Sequence, residues 1–104
     1  MKYTTNAPKG AALLDERMPG WAAKVDLDTF QIMSTERCIL AQVYDSDYWS
    51  GKNELFTEDE LDVPTFDATY PPYAFGFDYY SGGASPASLD AEWRELVSER
   101  QSKA

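Results

Sequence analysis

Ser34-Thr35-Glu36-Arg37-Cys38-Ile39-Leu40-Ala41-Gln42-Val43-Tyr44 is the stretch on which the fold class turns. Ser34 is a good helix N-cap, and Glu36 suits the positive end of a helix. Cys38 to Tyr44, however, is nearly all apolar with β-branched members, as a buried strand would be. Periodicity does not separate the two in so short a run. The cap favours a helix over 34–44 and a mainly α fold. The strand reading would instead make an α+β fold with a small antiparallel sheet.

On the N-terminal side, Gly10 to Met18 reads as a helix. Ala11, Leu14 and Met18 recur at helical spacing, and Asp15, Glu16 and Arg17 form its polar side. Pro19-Gly20 ends it, and Trp21 to Val25 can add one more turn. Residues 1–8 read as a flexible start in which Thr5 or Asn6 can cap. On the C-terminal side, Asp45-Ser46-Asp47 makes a turn or a cap before Tyr48 and Trp49. Thr57-Glu58-Asp59-Glu60 is a capping box, with Phe56 and Leu61 at the positions of a hydrophobic staple. It predicts a short helix over 58–63, stopped by Pro64.

Residues 66–80 hold seven aromatics, and Pro71-Pro72 argues against a helix through their middle. Tyr73, Phe75, Phe77 and Tyr79 alternate with the period of a strand, which predicts a short extended segment. Ser81-Gly82-Gly83-Ala84 reads as flexible. The last helix is predicted over 86–101, capped by Ser85 or Ser88, with Pro86 at its first position. Leu89, Trp93, Leu96, Val97 and Arg100 make one stripe, and Asp90/Arg94 and Glu99/Lys103 are favourable i,i+4 pairs. The 104 residues read as one domain. Trp21, Leu40, Phe75, Phe77, Trp93 and Leu96 are the expected core, joined by Phe66 and Leu89. The lone cysteine, Cys38, excludes an intrachain disulfide and reads as a small buried hydrophobe.

The formal charge of −9 is concentrated in the middle of the chain. Residues 45–90 carry ten acidic residues against the single basic Lys52, while both flanks are balanced. The same segment holds ten of the fifteen aromatics. Such a surface repels nucleic acid and anionic membranes and favours basic partners. No apolar run approaches the roughly 20 residues of a membrane span, and no signal-peptide core comes after Lys2 or Lys9. A cytoplasmic location is the expectation.

The chain has no histidine, so Ser-His, Cys-His and His-metal chemistry are excluded. Asp45-Ser46-Asp47 opens like a calcium loop. Its glycine falls at loop position seven instead of six, and Phe56 stands where the closing glutamate belongs. Gly76, Gly82 and Gly83 lack the spacing and lysine of a phosphate loop. No cofactor, metal or catalytic residue is expected, and the protein reads as a non-enzyme.

What is left is a surface. Tyr48, Trp49, Tyr70, Tyr73, Tyr79 and Tyr80 exceed what a small domain can bury with every hydroxyl satisfied, and such residues are favoured at binding faces. With Asp45, Asp47, Asp67 and Asp78 at its rim, this face is the expected partner-binding site. It suits a protein with a basic or partly apolar surface, and a second copy of the chain could also use it. A DNA mimic is the alternative. Duplex DNA carries about one charge per 1.7 Å, so a matching face would need roughly fifteen charges, more than the segment offers.

Short segments along the chain add a resemblance. Gly10 to Glu16, Pro19-Gly20-Trp21, Val25 to Asp28 and Cys38 to Gln42 resemble a group of small acidic proteins of unknown function from actinobacteria and their phages. Phe75 to Asp78 and Glu92 to Arg94 match more weakly. Ala41 departs from the glycine usual in the group, and the aromatic block departs from its simpler helical pattern. The resemblance implies a bacterial cytoplasm and either a host protein or a phage accessory protein that engages a host factor. It carries over no activity and no functional residue.

Overall fold

A computed structural model of the chain describes residues 3–80 and 83–103, and those residues form helices and turns without a strand. α1 (Ala7–Arg17) leads through a 3₁₀ turn at Trp21–Lys24 to α2 (Ile39–Val43), α3 (Tyr48–Leu55), α4 (Pro71–Ala74) and the long α5 (Pro86–Ser102). The fold is mainly α, and the small sheet of the α+β reading does not form.

α1 starts one turn earlier than its apolar spacing suggests. Pro8 sits in its first turn, where a missing N–H costs nothing. The Asn6 carbonyl takes the Lys9 and Gly10 amides, and Thr5 Oγ1 accepts from the Ala7 amide at 3.0 Å. Ala7, Gly10, Ala11 and Leu14 form its buried face. α5 keeps closely to its predicted pattern. Ser85 caps it through the Ser88 amide at 3.2 Å, and Leu89, Trp93, Leu96 and Val97 are buried. Both i,i+4 ion pairs form, Arg94 with Asp90 and Lys103 with Glu99.

α1 and the 3₁₀ turn pack on α5, while α2 packs on α3 and on the 3₁₀ turn. A chain of aromatic contacts runs through the core. Trp21 meets Trp93 edge-on at 5.9 Å, Phe77 stacks on Trp93 at 5.3 Å, and Phe56 touches Phe77 at 6.0 Å and Phe75 at 5.7 Å. The buried indole groups are paired, Trp93 Nε1 with the Gly76 carbonyl at 2.6 Å and Trp21 Nε1 with Asp15 at 2.8 Å.

Three predicted elements differ. Ser34 caps a turn, accepting from the Glu36 and Arg37 amides at 3.3 and 3.1 Å, and the helix begins only after Cys38. The Arg37 carbonyl, which a continuous helix would give to Ala41, is taken by the Gln31 amide and by Gln42 Nε2 at 2.9 Å. The capping box of Thr57 and Glu60 forms in both directions, at 2.9 and 3.1 Å, yet it closes a single turn and no helix. Pro64 leaves no room, because it biases Val63 away from helical dihedrals.

The extended aromatic segment is also absent. Pro71 and Pro72 occupy the first turn of α4, which is where prolines are tolerated. The strand alternation then breaks at Gly76, whose φ is +72°. A Cβ there would lie 2.5 Å from the Ala7 backbone nitrogen, so this turn accepts only glycine. Phe77 is buried as expected, Phe75 is half-buried, and Phe66 is 80% exposed and no part of the core.

Within the stretch 1–8, read as flexible, Thr4 and Thr5 are held. Glu92 of α5 accepts the Thr4 amide and hydroxyl, both at 3.0 Å, and the Thr5 amide and hydroxyl at 3.1 and 2.7 Å. Of the two stretches expected to be flexible, residues 1, 2, 81 and 82 lie outside the described residues.

Candidate interaction surface

Asp67 accepts from the amide and hydroxyl of Thr69 at 2.9 and 2.8 Å, and its carbonyl takes the Tyr70 amide at 2.9 Å. These turns deliver Tyr70 to the start of α4. The Tyr70 ring is 6% exposed, and its hydroxyl meets Lys52 Nζ at 3.0 Å. Tyr73, one turn on, touches the Tyr70 ring at 5.6 Å and the Tyr80 ring at 5.2 Å. Asp78 accepts from the Tyr79 amide at 2.8 Å, and its carboxylate lies near enough to the Tyr48 phenol of α3 to act on it electrostatically.

Tyr73, Asp78 and Tyr80 line a cleft of about 240 Å³, which Asn6, Ala68 and Ala84 help to close. Asn6 Nδ2 donates to the Tyr73 carbonyl at 3.2 Å, joining the start of α1 to this wall. Burial pushes the Tyr48 phenol far above its ordinary range, and the neighbouring Asp78 carboxylate adds to the effect. The Tyr73 phenol is raised by the same two causes in the same order. Both side chains therefore stay protonated donors at neutral pH.

The structure sorts the predicted residues. Tyr48, Tyr70, Tyr73, Asp78 and Tyr80 come together, and Trp49, 56% exposed, joins edge-on through Tyr48 at 6.0 Å. Tyr70 is a correction: it is a buried support beneath the surface. Tyr79 is half-buried and packs against the core. The other three carboxylates have local roles. Asp45 ends α2 in a left-handed conformation with φ +50°, which aspartate tolerates. Asp47 caps α3 through the Ser50 amide at 2.8 Å. Asp67 holds its turn, and the Thr69 amide and then the Thr69 hydroxyl keep its carboxyl below the usual range.

Sequence reasoning missed two contributors. Lys52 lies close in sequence to Tyr48, and its place as the segment's one cation is a signal that marks it. Asn6 carries none, because it reaches the cleft from the other end of the chain.

A larger cleft, about 420 Å³, lies between Trp21 and Arg100. Its polar groups are paired to one another. Arg100 forms a two-pronged ion pair with Asp15 at 2.8 and 3.0 Å, and Gln101 donates to the Ala22 and Val25 carbonyls at 3.0 and 2.8 Å. Cys38 is 1% exposed, and burial pushes its thiol up, away from the reactive thiolate. Among the described residues no three of His, Cys, Asp or Glu gather as a metal cluster, and no helix is long and apolar enough to cross a membrane. The chain matches no protein-family model, no curated protein and no solved structure.

Proposed function

We propose that the chain is a non-enzymatic protein-binding module whose face around Tyr73, Asp78 and Tyr80 engages a protein with a basic, partly apolar surface. One observation carries the reading. Asp78 lines a cleft walled by half-exposed tyrosines, and no ion pair of the described residues involves it. Tyrosine combines apolar contact area with a polar tip, which suits a partner of mixed character. The resemblance to small actinobacterial and phage proteins extends the proposal to a phage accessory protein that binds or inhibits a host factor in the bacterial cytoplasm.

The DNA-mimic reading is weaker. A mimic needs its carboxylates displayed as a regular array, whereas Asp47, Glu60 and Asp67 bond their own chain. Affinity capture from an actinobacterial lysate tests the proposal, at about 50 mM and about 500 mM salt, because exposed charge contacts are screened within about 8–10 Å. A protein held at low salt and released at high salt is expected. Capture of nothing, or only of proteins indifferent to salt, would count against it.

A further inference from the structure

We propose that the cleft bounded by Tyr73, Asp78 and Tyr80 takes the cationic head of one lysine or arginine side chain of the partner, with Asp78 as its counter-charge. The inference rests on the protein-binding reading and names what that surface recognises. Asp78 retains acceptor capacity. It receives the Tyr79 amide at 2.8 Å, while a carboxylate offers about four lone-pair positions. That bond fixes one of its oxygens, which limits the reorganisation needed when a cation arrives.

Five cations among the described residues have partners other than Asp78. Lys52, the only basic residue between 45 and 90, bonds the Tyr70 hydroxyl at 3.0 Å. The ion pairs among the described residues join Arg17 to Glu60, Arg94 to Asp90, Arg100 to Asp15 and Lys103 to Glu99. No ion pair among the described residues involves Asp78, so its charge is open to an external cation.

The walls fit the same ligand. The Tyr73 and Tyr80 rings are 5.2 Å apart and inclined at 52°, so they touch and nothing passes between them. A cation entering the cleft lies against ring surface, within the roughly 6 Å over which the aromatic quadrupole attracts it. The volume of about 240 Å³ suits an ammonium or guanidinium head with its last methylenes. It is below the range of about 300–1,000 Å³ typical of small-molecule pockets. A hard metal ion is a poor occupant, since calcium takes six or more oxygen ligands and one carboxylate lines this cleft.

The test is a heteronuclear NMR titration of the full chain with Nα-acetyl-lysine methylamide and Nα-acetyl-arginine methylamide, with the neutral norleucine analogue as control. Saturable shifts at Tyr73, Asp78, Tyr80 and Ala84 are expected for at least one cation, with a Kd of about 1–10 mM, as suits a single side chain. Asp78→Asn, which keeps an acceptor for the Tyr79 amide, should weaken this at least tenfold. Tyr73→Ala should weaken it too, and Glu36→Gln, on the exposed turn before α2, should not. Shifts that fail to saturate, that norleucine reproduces, or that persist in folded Asp78→Asn would overturn the proposal. A failed titration beside a salt-sensitive captured partner removes the cation site and leaves the protein-binding reading. A saturating titration with no captured partner supports the cleft and counts against that reading.

Discussion

Trp93 Nε1 donates to the Gly76 carbonyl at 2.6 Å, and this bond ties the centre of α5 to the turn between Tyr73 and Asp78. The two walls of the cleft thus hang from a fully buried side chain of the core. Trp93→Phe keeps most of the ring but leaves a buried carbonyl without its donor. Lost volume and lost hydrogen bond together should cost about 2–4 kcal/mol, read from the urea midpoint. The tyrosine resonances of the cleft should broaden or shift in the same variant.

Gly76→Ala tests the other end of that bond. The substitution meets a φ of +72° and the Ala7 backbone nitrogen at 2.5 Å. Relief requires α1 to move away from the turn. A loss of about 2 kcal/mol or more is expected, with faster hydrogen exchange at the first turn of α1.

Local rules made the two long helices legible. The Ala11, Leu14, Met18 spacing, Pro86 in a first turn, the Ser85 cap and the stripe Leu89, Trp93, Leu96, Val97 act within a few residues of one another, whereas Pro8, read as part of a flexible start, belongs to the first turn of α1. The misread segments have correct local signals that other contacts redirect. Ser34 does cap, but Gln31 and Gln42 take the Arg37 carbonyl that a longer helix needs. Thr57 and Glu60 do form their box, and Pro64 stops the helix from growing beyond it. The alternation of Tyr73, Phe75, Phe77 and Tyr79 has no strand to serve, because Gly76 turns the chain against α1. At the site, the clustering of Tyr48 with Asp78 was not readable, since α3 and the turn after α4 meet only in the fold. Four similar carboxylates therefore looked equivalent, although three have local structural roles.

Arg94 is a clamp on the long connection between the 3₁₀ turn and α2. Its guanidinium bonds the Leu27 carbonyl at 2.9 Å, the Phe30 carbonyl and Asp90, and lies 5.1 Å from the Phe30 ring centroid. Asp90 in turn accepts the Ile32 amide at 3.1 Å. Lysine cannot reproduce this planar set of contacts. Arg94→Lys should cost about 1–2 kcal/mol and raise amide exchange at Phe30 and Ile32, with the cleft shifts unchanged.

Acid should loosen the molecule through Glu60 and Glu92. Glu60 is held down to about 2, first by its hydrogen bond with Arg17 and then by the Thr57 amide. Burial works to raise Glu92, but the Thr4 and Thr5 donors outweigh it and its carboxyl lies below the ordinary value. Folded values below unfolded ones stabilise the protein above the ordinary glutamate range near 4.5, and this stabilisation is lost as pH falls toward about 2. Glu60 is partly exposed, so Glu60→Gln should cost only about 0.5–1 kcal/mol at pH 7. The difference from wild type should vanish near pH 2, measured as urea midpoints at both values.

Recognition through Asp78, between Tyr73 and Tyr80, is the centre of the account. The most direct measurement is the affinity of the captured partner for wild type, Asp78→Asn and Glu36→Gln at about 50 mM and about 500 mM salt. The account predicts at least tenfold weaker binding for Asp78→Asn at low salt, a narrower gap at high salt, and no change for Glu36→Gln. Binding by folded Asp78→Asn within twofold of wild type at low salt would contradict it.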